Sequence, residues 1–389
     1  MGSFPIVPPR TSSTICPRFD RRIAGLEMFN QTNLVWGSMP RKRLDLNRIR
    51  TTALFVVAVL LLSALLMVED PALSARTVRS LELPPSLHVA AFPKSWPSTR
   101  QQFMMTYDAA DGYVVLFGGF IMHNKTQNTN LYYSDTWIFK GDVWTKLSPP
   151  TSPPARADAA IAYDAADGYV VMFGGVGPNG LLNDTWIFAG GTWTQLSPAV
   201  SPSARQGSAM TYDAADGYVV LYGGDNSTTA FTDTWRFVGG VWSQLTPTKS
   251  PGPTILYKHH RFVVTYDANH SYVVGTACNG CGTWKFVGGQ WAVIRPGNGV
   301  GHAGMTFDPA INLVLAIGGP LPEKCNDATW IWTGNVWKEL SVSGTPPCIP
   351  YLDATTQMVY DTTDGYAVLF YGMSRETWTF SDDTWSEVV

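Results

Sequence analysis

The 389-residue sequence is poor in charge and in cysteine. Only 15% of its residues are charged, whereas 13% are aromatic and 36 are glycine, a balance that favours many short strands joined by tight turns. Residues 1–50 hold nine of the 27 basic residues and three of the 30 acidic ones, so residues 51–389 carry 18 basic and 27 acidic residues, a net charge of −9. This acidic body lacks the clustered positive charge that neutralises phosphates, which argues against a nucleic-acid partner.

One uncharged segment stands apart from the rest of the chain. Basic residues at 41–50 are followed by an apolar run at residues 51–68, long enough as a helix to cover about 27 Å of hydrocarbon. Positive charge before the run predicts that residues 1–50 stay cytosolic and that everything after it is exported. We expect a single-pass anchor in the cell membrane. A signal peptide that is cleaved near Ala75 and leaves a secreted protein is the alternative.

A unit of about fifty residues is repeated six times towards the C-terminus. Each copy begins with Tyr-Asp or Phe-Asp, as in "YDAADGYVVLFGG", and leads to two tryptophans seven residues apart. The first tryptophans are Trp137, Trp186, Trp235, Trp284, Trp330 and Trp378. A period near 50 residues indicates a repeat array. Each copy divides into four short strands, of the types "MTYD", "YVVLFGG", "DTWIF" and "TWTQL", with turns such as "AADG" between them.

Four antiparallel strands cannot bury both of their faces, so the units must stack, and a ring of six leaves no end face exposed. The sequence therefore predicts an all-β fold, a six-bladed propeller with four antiparallel strands per blade, behind one N-terminal transmembrane or signal helix. Residues 69–99 are expected to be a linker, and the propeller to be monomeric. The predicted blades lie at about residues 100–150, 151–199, 200–249, 250–296, 297–344 and 345–389. The tryptophans should fill the wedges between blades.

These repeats resemble the kelch family, whose propeller also forms the central domain of galactose oxidase. The resemblance rests on the double glycines (Gly118-Gly119, Gly174-Gly175, Gly223-Gly224 and Gly318-Gly319) and on the Asp-Thr-Trp and second Trp that follow them. It covers about residues 100–389 and implies a binding platform, only occasionally an enzyme. We expect an exported, membrane-anchored propeller that binds an extracellular protein or glycan, without catalytic residues, metal or cofactor.

Two other functions stay open. A copper-radical oxidase resembling galactose oxidase, or another carbohydrate-active enzyme, is the first. The copper of such an oxidase needs two His, two Tyr and a Cys cross-linked to one Tyr. His259, His260 and His302 are the candidate histidines, but no tyrosine–cysteine pairing is evident. A structural component of the cell surface is the second.

Binding should take place on one face of the ring. In a four-stranded blade, the loop between the second and third strands lies on the same face as the link to the next blade. This face differs among the repeats, and we call it the variable face. The opposite, constant face carries the "AADG" turns. Variable loops on a rigid scaffold commonly carry binding sites.

An arginine precedes the Tyr-Asp by seven residues in three units, at Arg100, Arg156 and Arg205. His259 and Asp353 occupy the corresponding positions in the fourth and sixth units. Three guanidinium groups on one arc predict a site for a carboxylate or sulfate. The alternative is that each arginine binds backbone carbonyls or an acidic neighbour within its blade interface.

The long loop of the first unit, at residues 120–134, supplies a second set of candidates. Its ligand-binding candidates are Phe120, His123, Tyr132 and Tyr133.

The "DAADG" turns lack the alternating ligands and closing Glu of a calcium loop, so we expect hairpin turns capped by Asp. Glycosylation sequons begin at Asn124, Asn183, Asn226 and Asn269, and Asn124 and Asn226 are the credible acceptors because they lie in loops.

The remaining candidates are the four cysteines that follow the apolar run. We expect two disulfides, Cys278–Cys281 across the shortened "CNGC" loop of the fourth unit and Cys325–Cys348 between a loop and the link that leaves the same unit. A redox pair or a zinc site is the alternative.

Overall fold

The computed structural model describes residues 95–124, 129–252, 262–276, 282–296, 304–318, 328–346 and 356–389. Contacts divide the chain into two units, Met1–Leu87 and His88–Val389, and the first lies wholly outside the described residues. So do the predicted membrane segment, the four cysteines, His259 and Asp353. Within the ranges given above, no helix is long and apolar enough to cross a membrane.

The second unit contains six four-stranded antiparallel sheets, each built from one segment of the chain. Blade 1 has β1 (Met104–Asp108), β2 (Tyr113–Phe117), β5 (Thr136–Lys140) and β6 (Val143–Leu147), with an extra hairpin of β3 (Phe120–Asn124) and β4 (Thr129–Tyr132). Blade 2 has β7 (Ala160–Asp164), β8 (Tyr169–Phe173), β11 (Thr185–Ala189) and β12 (Thr192–Leu196), with the short pair β9 (Val176–Gly177) and β10 (Gly180–Leu181). Blade 3 has β13 (Ala209–Asp213), β14 (Tyr218–Tyr222), β15 (Thr234–Val238) and β16 (Val241–Leu245).

The other three blades follow the same order. Blade 4 has β17 (Val263–Asp267), β18 (Tyr272–Thr276), β19 (Thr283–Val287) and β20 (Gln290–Arg295). Blade 5 has β21 (Met305–Asp308), β22 (Leu313–Ile317), β23 (Thr329–Trp332) and β24 (Trp337–Leu340). Blade 6 has β25 (Thr356–Asp361), β26 (Tyr366–Tyr371), β27 (Glu376–Ser381) and β28 (Thr384–Val388).

The six first strands form a closed ring. Each contacts the first strand of the next blade, and β25 of blade 6 contacts β1 of blade 1. The predicted all-β, six-bladed propeller with four strands per blade is thereby confirmed. The described sheets include none that combines strands from both ends of the chain, so contacts between blades 1 and 6 close the ring.

The second strand of each blade is predominantly apolar because it is buried on both faces. In β2, Val114 and Leu116 pack with Phe370 of blade 6, whereas Val115 and Phe117 pack with blade 2. Since successive side chains of a strand point to opposite faces, both sets must be apolar. The run "YVVLF" thus contributes side chains to two inter-blade cores.

The second tryptophan of every blade is bonded to the preceding blade. Its indole N–H donates to the hydroxyl of the Thr in that blade's Asp-Thr-Trp or equivalent sequence, at 2.8–3.0 Å. The six bonds are Trp144–Thr377, Trp193–Thr136, Trp242–Thr185, Trp291–Thr234, Trp337–Thr283 and Trp385–Thr329. We call this ring of bonds the tryptophan ladder. It confirms that the tryptophans fill the wedges between blades, and it explains why Thr precedes the first Trp.

Candidate binding face

The three predicted arginines are buried and fully engaged in their own blades. Arg156 is 0% exposed. Its guanidinium donates to both carboxylate oxygens of Asp184 at 2.6 Å, to the Gly174 carbonyl at 2.9 Å and to the Pro154 carbonyl at 3.1 Å. Burial alone would raise the pKa of Asp184, but the hydrogen bonds and charge of Arg156 outweigh it and lower that pKa below 3.8.

Blades 1 and 3 repeat this arrangement. Arg100 forms a two-pronged ion pair with Asp135, and Arg205 forms one with Asp233. In all three blades the same Asp also accepts the indole N–H of the first tryptophan at 2.7 Å. We call each Arg–Asp–Trp set an arginine clip.

The contacts of the clips are those of the alternative interpretation, in which each arginine binds carbonyls and an acidic neighbour. A ligand carboxylate would have to displace an aspartate from each guanidinium. Tyr133 is also part of this structure, since its ring covers the Arg100 guanidinium at 4.6 Å. We therefore leave the arginines and Tyr133 out of the site proposed below.

The constant face is occupied by turns that join blades. Asp108 caps its turn by accepting the N–H groups of Ala110 and Asp111, as expected from the sequence, and the equivalent aspartates do the same in other blades. In blades 1, 2 and 6 the second Asp of the turn accepts a backbone N–H from the following blade, as in Asp111–Gly190 at 3.0 Å. Asp167–Gly239 and Asp364–Gly141 match it. The second aspartate of these turns is thus explained by the bond that it forms to the next blade.

In the capping aspartates, burial outweighs the hydrogen bonds that the carboxylate accepts. It raises the pKa of Asp108 and of Asp213 from 3.8 to about 6. In both residues Oδ1 accepts backbone N–H groups of the turn, which lower the pKa, but Oδ2 is buried and has no hydrogen-bond partner among the described residues, so the loss of water prevails.

On the variable face, blade 1 carries a hairpin that no other described blade matches in length. Strands β3 and β4 pair with Phe120 opposite Tyr132 and Met122 opposite Asn130. Gln101 ties the hairpin to the start of the blade, because its backbone N–H and C=O both bond to Phe120. The Gln101 side chain donates to the Sδ of Met373 in the variable-face loop of blade 6 at 3.5 Å.

This hairpin and the neighbouring loop expose apolar side chains. Met122 is 45% exposed, Leu131 48% and Met373 42%. Phe120 and Tyr132 are half-buried, with ring centroids 5.8 Å apart. We call these five residues the hairpin patch. The corresponding loops of blades 2 and 3 expose no large apolar side chain in the structure.

The sequence predicted only part of this patch. Phe120 and Tyr132 belong to it, and the side chain of His123 lies outside the described residues. Met122, Leu131 and Met373 were missed. The signal that could have found the first two is their position as apolar residues within an unusually long loop that is otherwise polar. The described part of the chain contains no group of three or more His, Cys, Asp or Glu placed to hold a metal ion.

Comparison with known families agrees with the fold. Residues 86–276, just under half of the chain, match the family model described as the KLHDC2/KLHL20/DRC7 Kelch-repeats domain. They include blades 1 to 3 and the first two strands of blade 4. No curated protein matches the chain. The kelch resemblance is thus confirmed, and kelch propellers are generally protein-interaction scaffolds.

Proposed function

We propose that this chain is an exported, membrane-anchored kelch propeller that binds a protein outside the cell through the hairpin patch. The observation that carries the proposal is the exposure of Met122 and Leu131 on the two faces of the blade 1 hairpin, and of Met373 in the adjacent blade 6 loop, all on the variable face. Grouped exposed apolar residues mark interaction surfaces, and methionine and aromatic residues are enriched at them.

A comparison of the two faces of the ring favours the variable face as the binding surface. On the constant face, turn aspartates are already bonded to the next blade, so a partner would compete with the contacts that hold the ring together. The hairpin projects from blade 1 and forms no blade joint of the ladder type. Binding there leaves the propeller intact.

The chemistry of the patch favours a protein over a glycan. Sugar hydroxyls need polar groups to replace water when they are buried. The side chains exposed in the patch are aliphatic or thioether, and the Phe120 and Tyr132 rings contact each other. An apolar segment of a protein fits these side chains better.

The support for export comes from the sequence. Residues 51–68 are uncharged and follow a basic segment, as in a signal anchor. Protease added to intact cells should therefore digest the propeller while residues 1–50 remain protected.

Site-specific photo-crosslinking tests the binding proposal directly. A photoreactive amino acid replaces Leu131 in the full chain, in cells that naturally produce it, and the adducts are digested and identified by mass spectrometry. Val238 is the matched control, because it is 49% exposed against 48% for Leu131 but is the last residue of β15, at the constant-face end of blade 3.

We expect a discrete adduct with a second polypeptide at position 131 and none at position 238. Equal adducts at both positions, or none at 131, would contradict the proposal. An adduct that contains carbohydrate but no second polypeptide would show that the partner is a glycan.

A further inference from the structure

Two of the glycosylation sequons are part of the contacts between or within blades. The sequon at Asn183 uses Thr185, which is 1% exposed and accepts the Trp242 indole N–H in the tryptophan ladder. In the sequon at Asn269, the Ser271 hydroxyl is hydrogen-bonded to Tyr266. In the folded protein, the buried Thr185 hydroxyl is therefore not available to support a reaction at Asn183.

The sequon at Asn226 is arranged differently. It lies in the variable-face loop of blade 3, where Ser227, Thr228 and Thr229 are exposed. The Oδ1 atom of Asn226 accepts the Thr228 hydroxyl at 2.8 Å and the backbone N–H groups of Thr228 and Thr229 at 3.1 and 2.7 Å. These bonds engage only the oxygen of the amide, and they bring the sequon hydroxyl to the asparagine that it must activate.

We propose that Asn226 is an N-glycosylation site. The donor is a lipid-linked oligosaccharide: the bond between Nδ2 and sugar C1 forms, the bond between C1 and the lipid phosphate oxygen breaks, and Nδ2 releases one proton to solvent. The three donors on Oδ1 draw electron density from the amide nitrogen, which makes that proton easier to lose.

This inference rests on the export that is part of the proposed function, since the glycan is added only on the outer side of the membrane. The site lies two blades away from the hairpin patch, on the same face of the ring. A glycan at Asn226 would therefore shield the variable face near blade 3 and leave the patch open, which restricts a partner to the side formed by blades 6 and 1.

The test uses the full chain produced in eukaryotic cells, whose secretory pathway attaches N-linked glycans. We expect mass spectrometry to find the peptide containing Asn226 glycosylated. Glycan removal by a peptide N-glycosidase should then change the electrophoretic mobility of the chain. Asn226→Gln and Thr228→Ala should both abolish modification at this position, whereas Thr228→Ser, which keeps the hydroxyl, should retain it. Asn183→Gln is the matched control and should leave the glycan at Asn226 unchanged.

Protease accessibility in sealed membranes, measured on the same material, separates the two ways of failing. A propeller on the outer side of the membrane with an unmodified Asn226 would overturn the glycan alone. A propeller that remains on the cytosolic side would overturn both the glycan and export, while the crosslinking test of protein binding would still stand.

Discussion

Blades 1 to 3 contain the arginine clip, whereas the described parts of blades 4 to 6 show the same fold built without its aspartate. The residue before the Thr-Trp sequence is Asp135, Asp184 and Asp233 in the first half, and Gly282, Ala328 and Glu376 in the second. In blade 5 a backbone carbonyl replaces the aspartate as the acceptor of the first tryptophan's indole N–H, since Trp330 donates to the Gly318 carbonyl at 2.7 Å. Both halves keep the buried second strand and the tryptophan ladder. These two features therefore specify a blade, and the clip is an addition to it.

The largest difference between the halves should appear when a clip loses its aspartate. Asp184→Ala leaves the Arg156 charge buried without its partner, a change that costs about 3 kcal/mol or more. Glu376→Ala in blade 6 removes only a 3.4 Å contact to Trp378 and should cost less than about 1 kcal/mol. Denaturant unfolding of the full chain in detergent measures both. Equal losses would show that the clip adds no more than the weaker contact.

The ladder should be equally important in both halves. Trp242 joins blade 3 to blade 2, which both have clips, and Trp385 joins blade 6 to blade 5, which both lack the aspartate. The two indoles are 2% and 3% exposed and donate at 2.9 Å. Replacing either by Phe leaves a buried threonine hydroxyl without its donor and should cost about 2 kcal/mol. A much smaller loss for Trp385→Phe would mean that the ladder depends on the clips.

A third prediction compares two aspartates within blade 3. Burial raises the pKa of Asp213 to about 6, so its contribution to stability is fully present below pH 3.8 and is lost as the pH rises through 6. Asp233 also loses water on burial, but Arg205 lowers its pKa, so its contribution is present above pH 3.8 and lost as the pH falls through the folded pKa. The summed contribution of these two aspartates should be greatest near pH 3.8, where both are present.

Asp213→Asn isolates the first effect, because it keeps the oxygen that caps the turn and removes the titration. The free energy of unfolding of this variant should fall less steeply between pH 4 and 7. The change in slope should correspond to at most one proton. Unfolding curves across this pH range decide the matter, and an unchanged slope would mean that Asp213 has an ordinary pKa in the folded protein.

The smallest effects should come from exposed apolar residues of the two halves. Leu131 in the blade 1 hairpin is 48% exposed, and Val293 in the outer strand of blade 4 is 45% exposed. Lysine at either position should change the free energy of unfolding by no more than about 0.5 kcal/mol. Only Leu131→Lys should weaken binding of a partner. A hot-spot loss of about 2 kcal/mol would reduce affinity roughly 30-fold.

The sequence predicted the blades well because their local and long-range requirements coincide. The run at Val114–Phe117 is apolar, is β-prone and must be buried on both faces, and the turn after Asp108 needs Gly112 at a φ of 67°. Each of these features points to the same structure. The repetition of the unit then fixed the number of blades.

The role of the arginines was harder to predict, because their contacts join residues that are distant in the sequence. Arg156 and Asp184 are 28 positions apart, although they recur together in three units and the aspartate is missing from the other three, which was a usable signal. The hairpin strands were taken for a loop. Apolar side chains on both of their faces are partly exposed, so Phe120–Asn124 lacks the alternation of a half-buried strand.

Hydrogen–deuterium exchange on the full chain, with and without the protein crosslinked through position 131, tests the central claim most directly. We predict that the partner slows exchange at Phe120–Asn124 and Thr129–Tyr132 and leaves the constant-face turns after Asp108, Asp164 and Asp213 unchanged. Protection of those turns, with an unchanged hairpin, would contradict the account.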